Sequence, residues 1–379
     1  MANTNTLTQA VQQLLAQGLM ALRQMAVMPR FVNRAYETMS GEKMSTIDIN
    51  IPSAITAQQV SPSYVAPDDA GVVPTKVSIT LDQWWEAPFF LNDKEMLEVI
   101  GGTIPMQASE AVKSLANKVD GHLLALYAQV YSAVGTVGAT PFQTDLAPFL
   151  DADEKLNNQL APPDNRYVAI NAKAKAAAMS LRAFQDASFR GDQAGILRGD
   201  IGEKLGAFWF MDQNIPSHTA GTWNGTGTTT GTNAAGQGVV NLTGGTGSIL
   251  AGDIVTFAGD EQQYVASAVT GTGPTTAITV SPNLASAKSA TEVVTLLGAS
   301  DTYRVNLNFH RDAFALVSRP FAAADPMGLG TYQSAIDPVS GLALRLEVSR
   351  QHKRTRFSYD ILYGVKCVRP ELACRILGE

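Results

Sequence analysis

Apolar side chains near the start of the chain recur every three or four residues, which is the spacing of one face of an α-helix. In residues 7–26 this stripe consists of Leu7, Val11, Leu14, Leu22 and Met25. Thr6 followed by Gln9 forms a capping-box start. We therefore predict an amphipathic helix over residues 7–26. It either packs on its own domain or acts as an arm that reaches a partner.

A second, longer helical stripe follows. Asn92 and Glu95 have the spacing of a cap for a short helix that ends at the glycine pair 101–102. Pro105 suits the first turn of the next helix. The apolar positions of this next helix are Ala108, Val112, Leu115, Val119, Leu123, Leu126 and Val130. A helix from Pro105 to about Ser132 would be roughly 40 Å long, and its stripe is predicted to be the packing face of a central helix.

Between these helices the apolar positions alternate, as in β-strands. The first predicted strand contains Ile47, Ile49 and Ile51, and the second contains Val77, Ile79 and Leu81. A turn-rich segment with Asp68 and Asp69 connects them. The pattern predicts a long hairpin-like ribbon over residues 45–91. A two-stranded ribbon is marginal alone in water, so it must lie against its own domain or against a neighbouring subunit.

The last third of the chain also alternates. Strands are predicted at residues 303–309 and over a long hairpin at residues 342–365, and Asp312 to Val317 is predicted to be a helix or turn. The turn of the hairpin carries Arg350, Lys353, Arg354 and Arg356 without an acidic residue. This basic turn either contacts acidic groups of a neighbour or is a solvated tip.

The segment from Ser217 to Ser300 has a different composition from its flanks. It contains one basic residue, Lys288, four acidic residues and 14 of the 32 glycines. Its short β-branched runs, separated by Gly and Thr turns, predict five or six strands. We interpret the segment as a small β-barrel or sandwich inserted into a host domain that continues on both sides.

Composition limits the function. The net charge is −6 and the pI is near 5.3, which argues against a protein that binds nucleic acid by neutralising its phosphates. The first ten residues have no positive charge and no apolar run, so no secretory signal is predicted. No uncharged stretch is apolar enough to span a bilayer. The sequence thus predicts a protein that is made and kept in a cytoplasm.

No arrangement of residues makes a positive case for catalysis. The glycine-rich stretches lack the Lys-Ser/Thr pair of a phosphate loop, and the His310-Arg311-Asp312 tripeptide lacks the other kinase motifs. The histidines are scattered, and Cys367 and Cys374 match neither a redox motif nor a zinc pattern. We predict two buried, inert thiols, no metal, no cofactor and no enzymatic activity.

Several segments together resemble the major capsid proteins of tailed phages, and within that family those with an inserted β-barrel. The matching stretches are residues 306–316 (NLNFHRDAFAL) with Arg319-Pro320, residues 199–202 (GDIG) leading to 212–216 (DQNIP), 360–365 (DILYGV) with 369–371 (RPE), 251–259 (AGDIVTFAG) and 278–282 (ITVSP). Each piece alone is weak, and their order over most of the chain is specific.

The resemblance implies an α+β subunit with the tailed-phage major capsid fold. Its parts would be an N-terminal arm at residues 1–45, an extended loop at 46–91, a peripheral domain with a long spine helix at 92–135, the first part of an axial domain at 136–216, the inserted β-barrel at 217–300, the second part of the axial domain at 301–341 and a peripheral β-hairpin at 342–379.

The resemblance also implies a function in assembly. Subunits would form hexamers and pentamers of an icosahedral shell that encloses double-stranded DNA, with scaffolding, portal and decoration proteins as partners and only weak contact to the DNA. Assembly would take place in the host cytoplasm and the product would be a virion. The predicted subunit-interface residues are Arg23, Arg30, Arg34, Asp68, Asp69, Lys76, Arg350, Lys353, Arg354 and Arg356.

Two other functions stay open at this point. A cage of the same fold around an enzyme cargo, as in encapsulins, would lack the insertion. A carbohydrate-binding or fibre protein would need a stacking surface, and Trp223 is the only tryptophan of the insertion. Some relatives crosslink a loop lysine to an asparagine of a neighbour. Lys76 lies near the loop, but no catalytic carboxylate can be assigned, and a crosslink is not predicted.

Overall fold

A computed structural model shows a mixed α+β chain. It describes residues 15, 27–39, 46–52, 55, 57, 59, 62, 74–98, 103–185, 199, 201–225, 227–271, 274–321, 330–336 and 342–379. The predicted N-terminal helix at 7–26 lies outside these residues except for Leu15, which is helical and buried in the main core.

Five described helices precede the insertion. They are α1 (Asp93–Glu98), α2 (Thr103–Ala125), α3 (Ala147–Asn158), α4 (Ala172–Ser180) and α5 (Arg182–Gln185). The predicted capping box of α1 is confirmed, because the Asn92 N–H donates to Glu95 (2.9 Å) and the Glu95 N–H donates to the Asn92 side chain (2.8 Å). These two bonds satisfy donors that a helix start leaves free.

Helix α2 is the predicted central helix. Its stripe is buried as predicted, since Ala108, Val112, Leu115, Val119 and Leu123 are at most 2% exposed. The predicted C-terminal end at Ser132 is wrong. The helix stops at Ala125, and a 3₁₀ turn (Leu126–Gln129) continues the apolar run without α-helical geometry.

A two-stranded ribbon and a five-stranded sheet form one side of the subunit. The ribbon pairs β1 (Thr46–Ile51) with β2 (Thr75–Thr80). The sheet contains β3 (Gln83–Asn92), β16 (Phe314–Arg319), β17 (Gly330–Ile336), β18 (Ala343–Gln351) and β19 (Arg354–Cys367). Its order is β16-β19-β18-β17, with β3 also paired to β19.

A seven-stranded sheet forms the other part of the host. Its strands are β4 (Ala133–Val134), β5 (Arg166–Ile170), β6 (Gly202–Lys204), β7 (Ala207–Met211), β8 (Ser217–Thr219), β15 (Thr302–His310) and β20 (Ala373–Gly378). The order is β4-β20-β15-β5-β7-β6, and β8 pairs with β15. One core cluster includes α2 and strands of both host sheets, so the host is continuous across the insertion.

Two sequence expectations differ from these sheets. The helix or turn predicted from Asp312 to Val317 is a strand, β16, after a 3₁₀ turn (Arg311–Ala313). Residues Phe314 to Val317 are buried on both faces of the sheet, so no alternation marks the strand. Strand β3 belongs to the five-stranded sheet, although the sequence assigned residues 83–91 to the extended loop.

The sheets also cut across the segmentation of the C-terminal part. Strands β16 and β17 join the five-stranded sheet with the predicted peripheral hairpin, whereas the sequence assigned residues 301–341 to the axial part. Strand β20 pairs with β15 in the seven-stranded sheet instead of following the hairpin. Strand pairing between distant residues determines these memberships, and periodicity carries no information about it.

The insertion contains a six-stranded sheet with its own core. Its strands are β9 (Thr228–Thr229), β10 (Val239–Thr243), β11 (Ile254–Phe257), β12 (Tyr264–Thr270), β13 (Ala277–Ser281) and β14 (Val294–Leu296), in the order β14-β11-β12-β13-β10-β9. The Thr229 N–H donates to Glu292 (3.0 Å) and the Val294 N–H donates to Gly227 (3.0 Å), so hydrogen bonds join the two ends of the sheet. The barrel form of the insertion stays a prediction.

Candidate subunit-contact surfaces

The segment at residues 27–39, here called the arm base, is anchored on the host. Met28 and Val32 are fully buried, and the Phe31 ring stacks on Phe210 at 4.4 Å between centroids. Asn33 bridges to Ala315 of β16. Of the predicted interface residues, Arg30 is exposed and Arg34 forms a 2.5 Å ion pair with Glu37, while Arg23 lies outside the described residues.

The ribbon has one face covered by its own chain. Ile47, Ile49 and Ile79 pack in a cluster with Ala315 and Val317 of β16. The sequence left two alternatives for what the ribbon lies against, its own domain or a neighbour. The structure shows that its own domain covers its base. Lys76 stands on the outer part of the ribbon and pairs with Asp48 at 2.7 Å. Asp68 and Asp69 lie outside the described residues.

The basic turn has acidic partners within the subunit. Arg350 contacts Asp93 at 2.6 Å, and Arg356 contacts Glu86 at 2.8 Å. Asp93 begins α1 and Glu86 lies on β3, so both partners come from elements distant in sequence. These two arginines therefore have acidic partners in their own chain, and contact of the turn with a neighbour stays a prediction.

The other two cations of the turn differ. Lys353 has a φ of 53°, the left-handed conformation of a tight hairpin turn. Arg354 donates to the side chain of Gln351 (2.6 Å) and lies over the Phe90 ring at 5.0 Å, without an ion pair to a described acid. The turn thus keeps an outward positive charge at Arg354, beside an exposed aromatic ring.

Sequence reasoning missed the exposed aromatic side chains of β3, of which Phe90 lies beside this turn and Trp84 lies near the other end of the strand. Trp84 and Phe90 of β3 are 62% and 56% exposed. Arg345 forms an ion pair with Asp360 and lies over the Phe321 ring at 4.3 Å. Exposed Trp and Phe beside arginines are typical of the centre of protein interfaces. The alternation of β3, which contains two adjacent tryptophans, is the sequence signal that could have indicated this surface.

A buried polar network, here called the junction network, connects the insertion to the host. The Tyr127 hydroxyl lies 2.9 Å from His218 Nδ1, and His218 Nε2 lies 2.7 Å from Asp253 Oδ1. The second oxygen of Asp253 accepts bonds from the Gly221 and Leu250 N–H groups at 3.0 and 2.7 Å. The network therefore fixes strand β11 against the end of α2 and the adjoining β8.

Arg375 completes the junction network. Its guanidinium donates to the Gly252 carbonyl at 2.7 Å and lies 5.2 Å from the centre of the Tyr127 ring. Burial lowers the pKa of Arg375 to about 10, because the interior disfavours its charge. Breaking a buried arrangement of this kind leaves uncompensated polar groups, so the network holds the insertion in one position.

The described residues offer little for catalysis or metal binding. Among them, no group of three or more His, Cys, Asp or Glu side chains is placed to hold a metal ion. Cys367 and Cys374 are buried and unpaired, as predicted, and burial raises the pKa of each thiol to about 12. No helix in the described part of the chain is long and apolar enough to cross a membrane.

Known proteins are similar to this chain in fold rather than in sequence. No family model and no curated protein matches the sequence. A chain from Mycobacterium phage Che8 is 17% identical, with a TM-score of 0.53 over 93% of this chain and 90% of that chain. A chain from the capsid structure of cyanophage P-SCSP1u is 13% identical, with a TM-score of 0.52 over 93% of this chain and 88% of that chain.

These similarities establish the fold. The chain has the α+β fold of tailed-phage capsid subunits, as the sequence resemblance predicted. A virus-like particle from Pyrococcus furiosus also matches, at 10% identity over 97% of this chain and 98% of that chain, but its TM-score of 0.45 is too low to support a conclusion.

Proposed function

We propose that this chain is the major capsid protein of a tailed phage. The observation that carries the proposal is the fold shared with the cyanophage capsid chain over 93% of this chain. In this proposal hexamers and pentamers of the subunit form an icosahedral shell around double-stranded DNA. Scaffolding, portal and decoration proteins are its partners, and the virion is its location.

The proposal keeps the parts of the chain that the sequence predicted and combines them with the observed sheets. Residues 1–45 act as an arm and 46–91 as an extended loop whose last strand, β3, joins the five-stranded sheet, and α2 with that sheet forms the peripheral part. The seven-stranded sheet forms the axial part, and the insertion is a small β-barrel on it. The ribbon supports an assembly role because 23 residues, 52–74, connect its strands beyond the last pair, Ile51 with Thr75, where the contacts to the host cluster end.

The interface assignments belong to the same proposal. Arg23, Arg30, Arg34, Lys76 and the basic turn would contact neighbouring subunits, with Asp68 and Asp69 as acidic partners across the boundary. Arg354 has the strongest support, because it is a cation without an acidic partner among the described residues and it lies over the exposed Phe90 ring. Interfaces repeated around every subunit add up in a closed shell, even where each is modest.

The test is expression of the chain, alone and with its scaffolding protein, followed by negative-stain electron microscopy. We expect closed shells or ring-shaped capsomers, and DNA-filled heads from infected cells. A cargo cage would give particles free of genomic DNA. A stable monomer at all concentrations, with scaffold present, would contradict the proposal.

A shortened ribbon supplies a matched variant. Ile51 faces Thr75 at the last pair of the ladder, so replacing residues 52–74 with Asn-Gly closes the same hairpin by a two-residue turn. The subunit should melt as before, because its described core contacts are retained. Shell formation should be lost if the removed segment joins neighbours.

A further inference from the structure

Two buried carboxyl groups, of Asp120 and Asp212, interact electrostatically where the arm base contacts α2. Asp120 lies on α2 and is 0% exposed, and Asp212 follows β7 and is 3% exposed. Neither has a basic side chain bonded to it among the described residues. Oδ1 of Asp120 and Oδ2 of Asp212 are buried and have no hydrogen-bond partner in the described part of the chain. A buried acceptor without a donor is costly, so the site needs a further hydrogen-bond donor.

Asp120 also holds the arm base directly. Its Oδ2 accepts the backbone N–H of Val27 at 3.3 Å, and the backbone N–H of Met28 also favours the ionised form of this carboxyl. Met28 is the first residue of the 3₁₀ turn that leads into the arm base, and it is fully buried. The protonation state of Asp120 is therefore coupled to whether residues 27–32 are docked on the host.

We propose that Asp120 and Asp212 form a pH-dependent anchor for the arm base, which docks firmly with a proton on the pair and loosens when that proton is lost. A protonated carboxyl supplies the O–H donor that the orphaned oxygens lack. With both groups ionised, two negative charges would share an interior that contains few donors. Releasing the arm base opens that interior to water.

The electrostatics of the site also favour a proton on the pair. Desolvation is the largest cause that raises the pKa of Asp120 to about 8, and the negative charge of Asp212 is the second. The N–H groups of Val27 and Met28 and the positive charge of Arg30 act in the opposite direction. Desolvation also raises the pKa of Asp212, against a bond from the Asn214 N–H. These are the charged groups that act on the pair from the helix, the arm base and the segment after β7.

The direction of the pH effect follows from linkage. The pKa of Asp120 is raised in the docked state above its value of 3.8 in water. The stabilisation from the bound proton is then complete below that value and is lost as the pH rises through about 8. Docking weakens up to about tenfold per pH unit in this window.

Glu37 is a second titratable carboxyl of the arm base, and it acts in the same direction. Burial raises its pKa, and its ionised carboxylate accepts bonds from Arg34 and from the Ser318 N–H of β16. Because this pKa is raised above its ordinary value, protonation of Glu37 also favours the docked arm base, and loss of the proton weakens docking as the pH rises. A variant of Asp120 separates the two groups.

Backbone hydrogen exchange of residues 27–34 in the full-length chain tests the anchor. Protection factors, corrected for the intrinsic pH dependence of exchange, should fall by up to about 100-fold between pH 6 and pH 8. In Asp120→Asn the fall should disappear, because the amide is neutral and supplies a donor at every pH. In Asp212→Asn it should shift to lower pH, because the neighbouring negative charge is gone.

Glu110→Gln is the control, since it removes a carboxylate from the exposed face of the same helix, where Glu110 pairs with Lys113. Its profile should match the unmodified chain. Protection that is independent of pH between 6 and 8 in the unmodified chain would overturn the proposal. Protection that rises with pH would overturn it too, since both carboxylates would then be ionised and held by a cation.

If Asp120→Asn does not fold, the profiles of the unmodified chain and of Asp212→Asn still decide the question. The measurement does not require shells. The anchor and the proposed capsid function can therefore fail independently of each other.

Discussion

At the scale of single residues, two glycines determine how closely the backbone of the insertion packs on the Trp223 ring. The Trp223 ring is 1% exposed and donates its indole N–H to the Val294 carbonyl at 3.1 Å. Gly227 and Gly245 lie against this ring, and a Cβ atom built on them would come within 1.9 and 2.1 Å of ring atoms. Only glycine fits at such a distance, so the glycine-rich composition of the segment has a packing cause here.

We expect Gly227→Ala to destabilise the insertion by about 1–3 kcal/mol, the usual cost of overpacking a well-packed core. The measurement is thermal unfolding followed by Trp fluorescence. Gly225→Ala is the control, because no atom lies within 4 Å of its Cβ position. Equal melting of both variants would mean that the ring moves freely.

Leu115 tests the core of the host at the same scale. It is 2% exposed on the buried stripe of α2. Leu115→Ala should cost about 2–5 kcal/mol in the free energy of unfolding, because it removes buried apolar volume and leaves a cavity. Denaturant unfolding measures this cost, and Met106→Ala, at a 70% exposed position of the same helix, should change it by less than about 0.5 kcal/mol.

At the scale of elements, the insertion and the host differ in how their strands pair. Strands β9 to β14 pair with one another, and their core residues, from Trp223 to Leu296, form a separate cluster. Strand β8 pairs with β15 of the host instead. The insertion therefore starts after β8, a few residues later than the change in composition at Ser217.

We predict that a fragment of residues 220–300 folds without the host, because its described sheet and core close within it. Its amide resonances should be dispersed as in β-structure. The same fragment with Gly227→Ala should lose dispersion at a lower temperature. A collapsed spectrum of the unmodified fragment would mean that the junction network, which adds Tyr127, His218 and Arg375, is required for folding.

At the scale of the whole molecule, the exposed basic and aromatic residues named above belong to the five-stranded sheet and the ribbon. The basic turn, Trp84 and Phe90 belong to the five-stranded sheet or its edge, and Lys76 lies on the ribbon beside it. Exposed ion pairs such as Arg356 with Glu86 contribute only about 0–1 kcal/mol to a subunit. Their effect on a shell would come from repetition.

Reversal of Arg354 and Arg356 to Glu should therefore leave subunit melting nearly unchanged and lower the yield of shells. The loss should be smaller at high salt, because salt screens the new repulsion. Electron microscopy and sedimentation across a salt series measure the yield. Lys173→Glu is the matched reversal, since Lys173 pairs with Glu379 on the exposed surface away from the turn. Equal yields of both variants would identify the turn as solvated surface.

The sequence alone determined the elements whose signal is local. The stripe of α2 and the ribbon strands have one buried face, the capping box consists of short-range bonds, and the hairpin β18–β19 alternates apolar and polar side chains. Periodicity and capping record these features directly. The glycine and threonine turns of the insertion marked its strands for the same reason.

Only the tertiary structure decided which distant residues meet. Strand β16 is buried on both faces and has no alternation, β20 returns to the seven-stranded sheet, and Glu86 and Asp93 approach the basic turn across β3 and β19. Nothing in the sequence connects Asp120, on α2, with Asp212, in the segment after β7. Strand pairing and packing bring them together under the arm base, and no local pattern encodes a contact between residues that far apart.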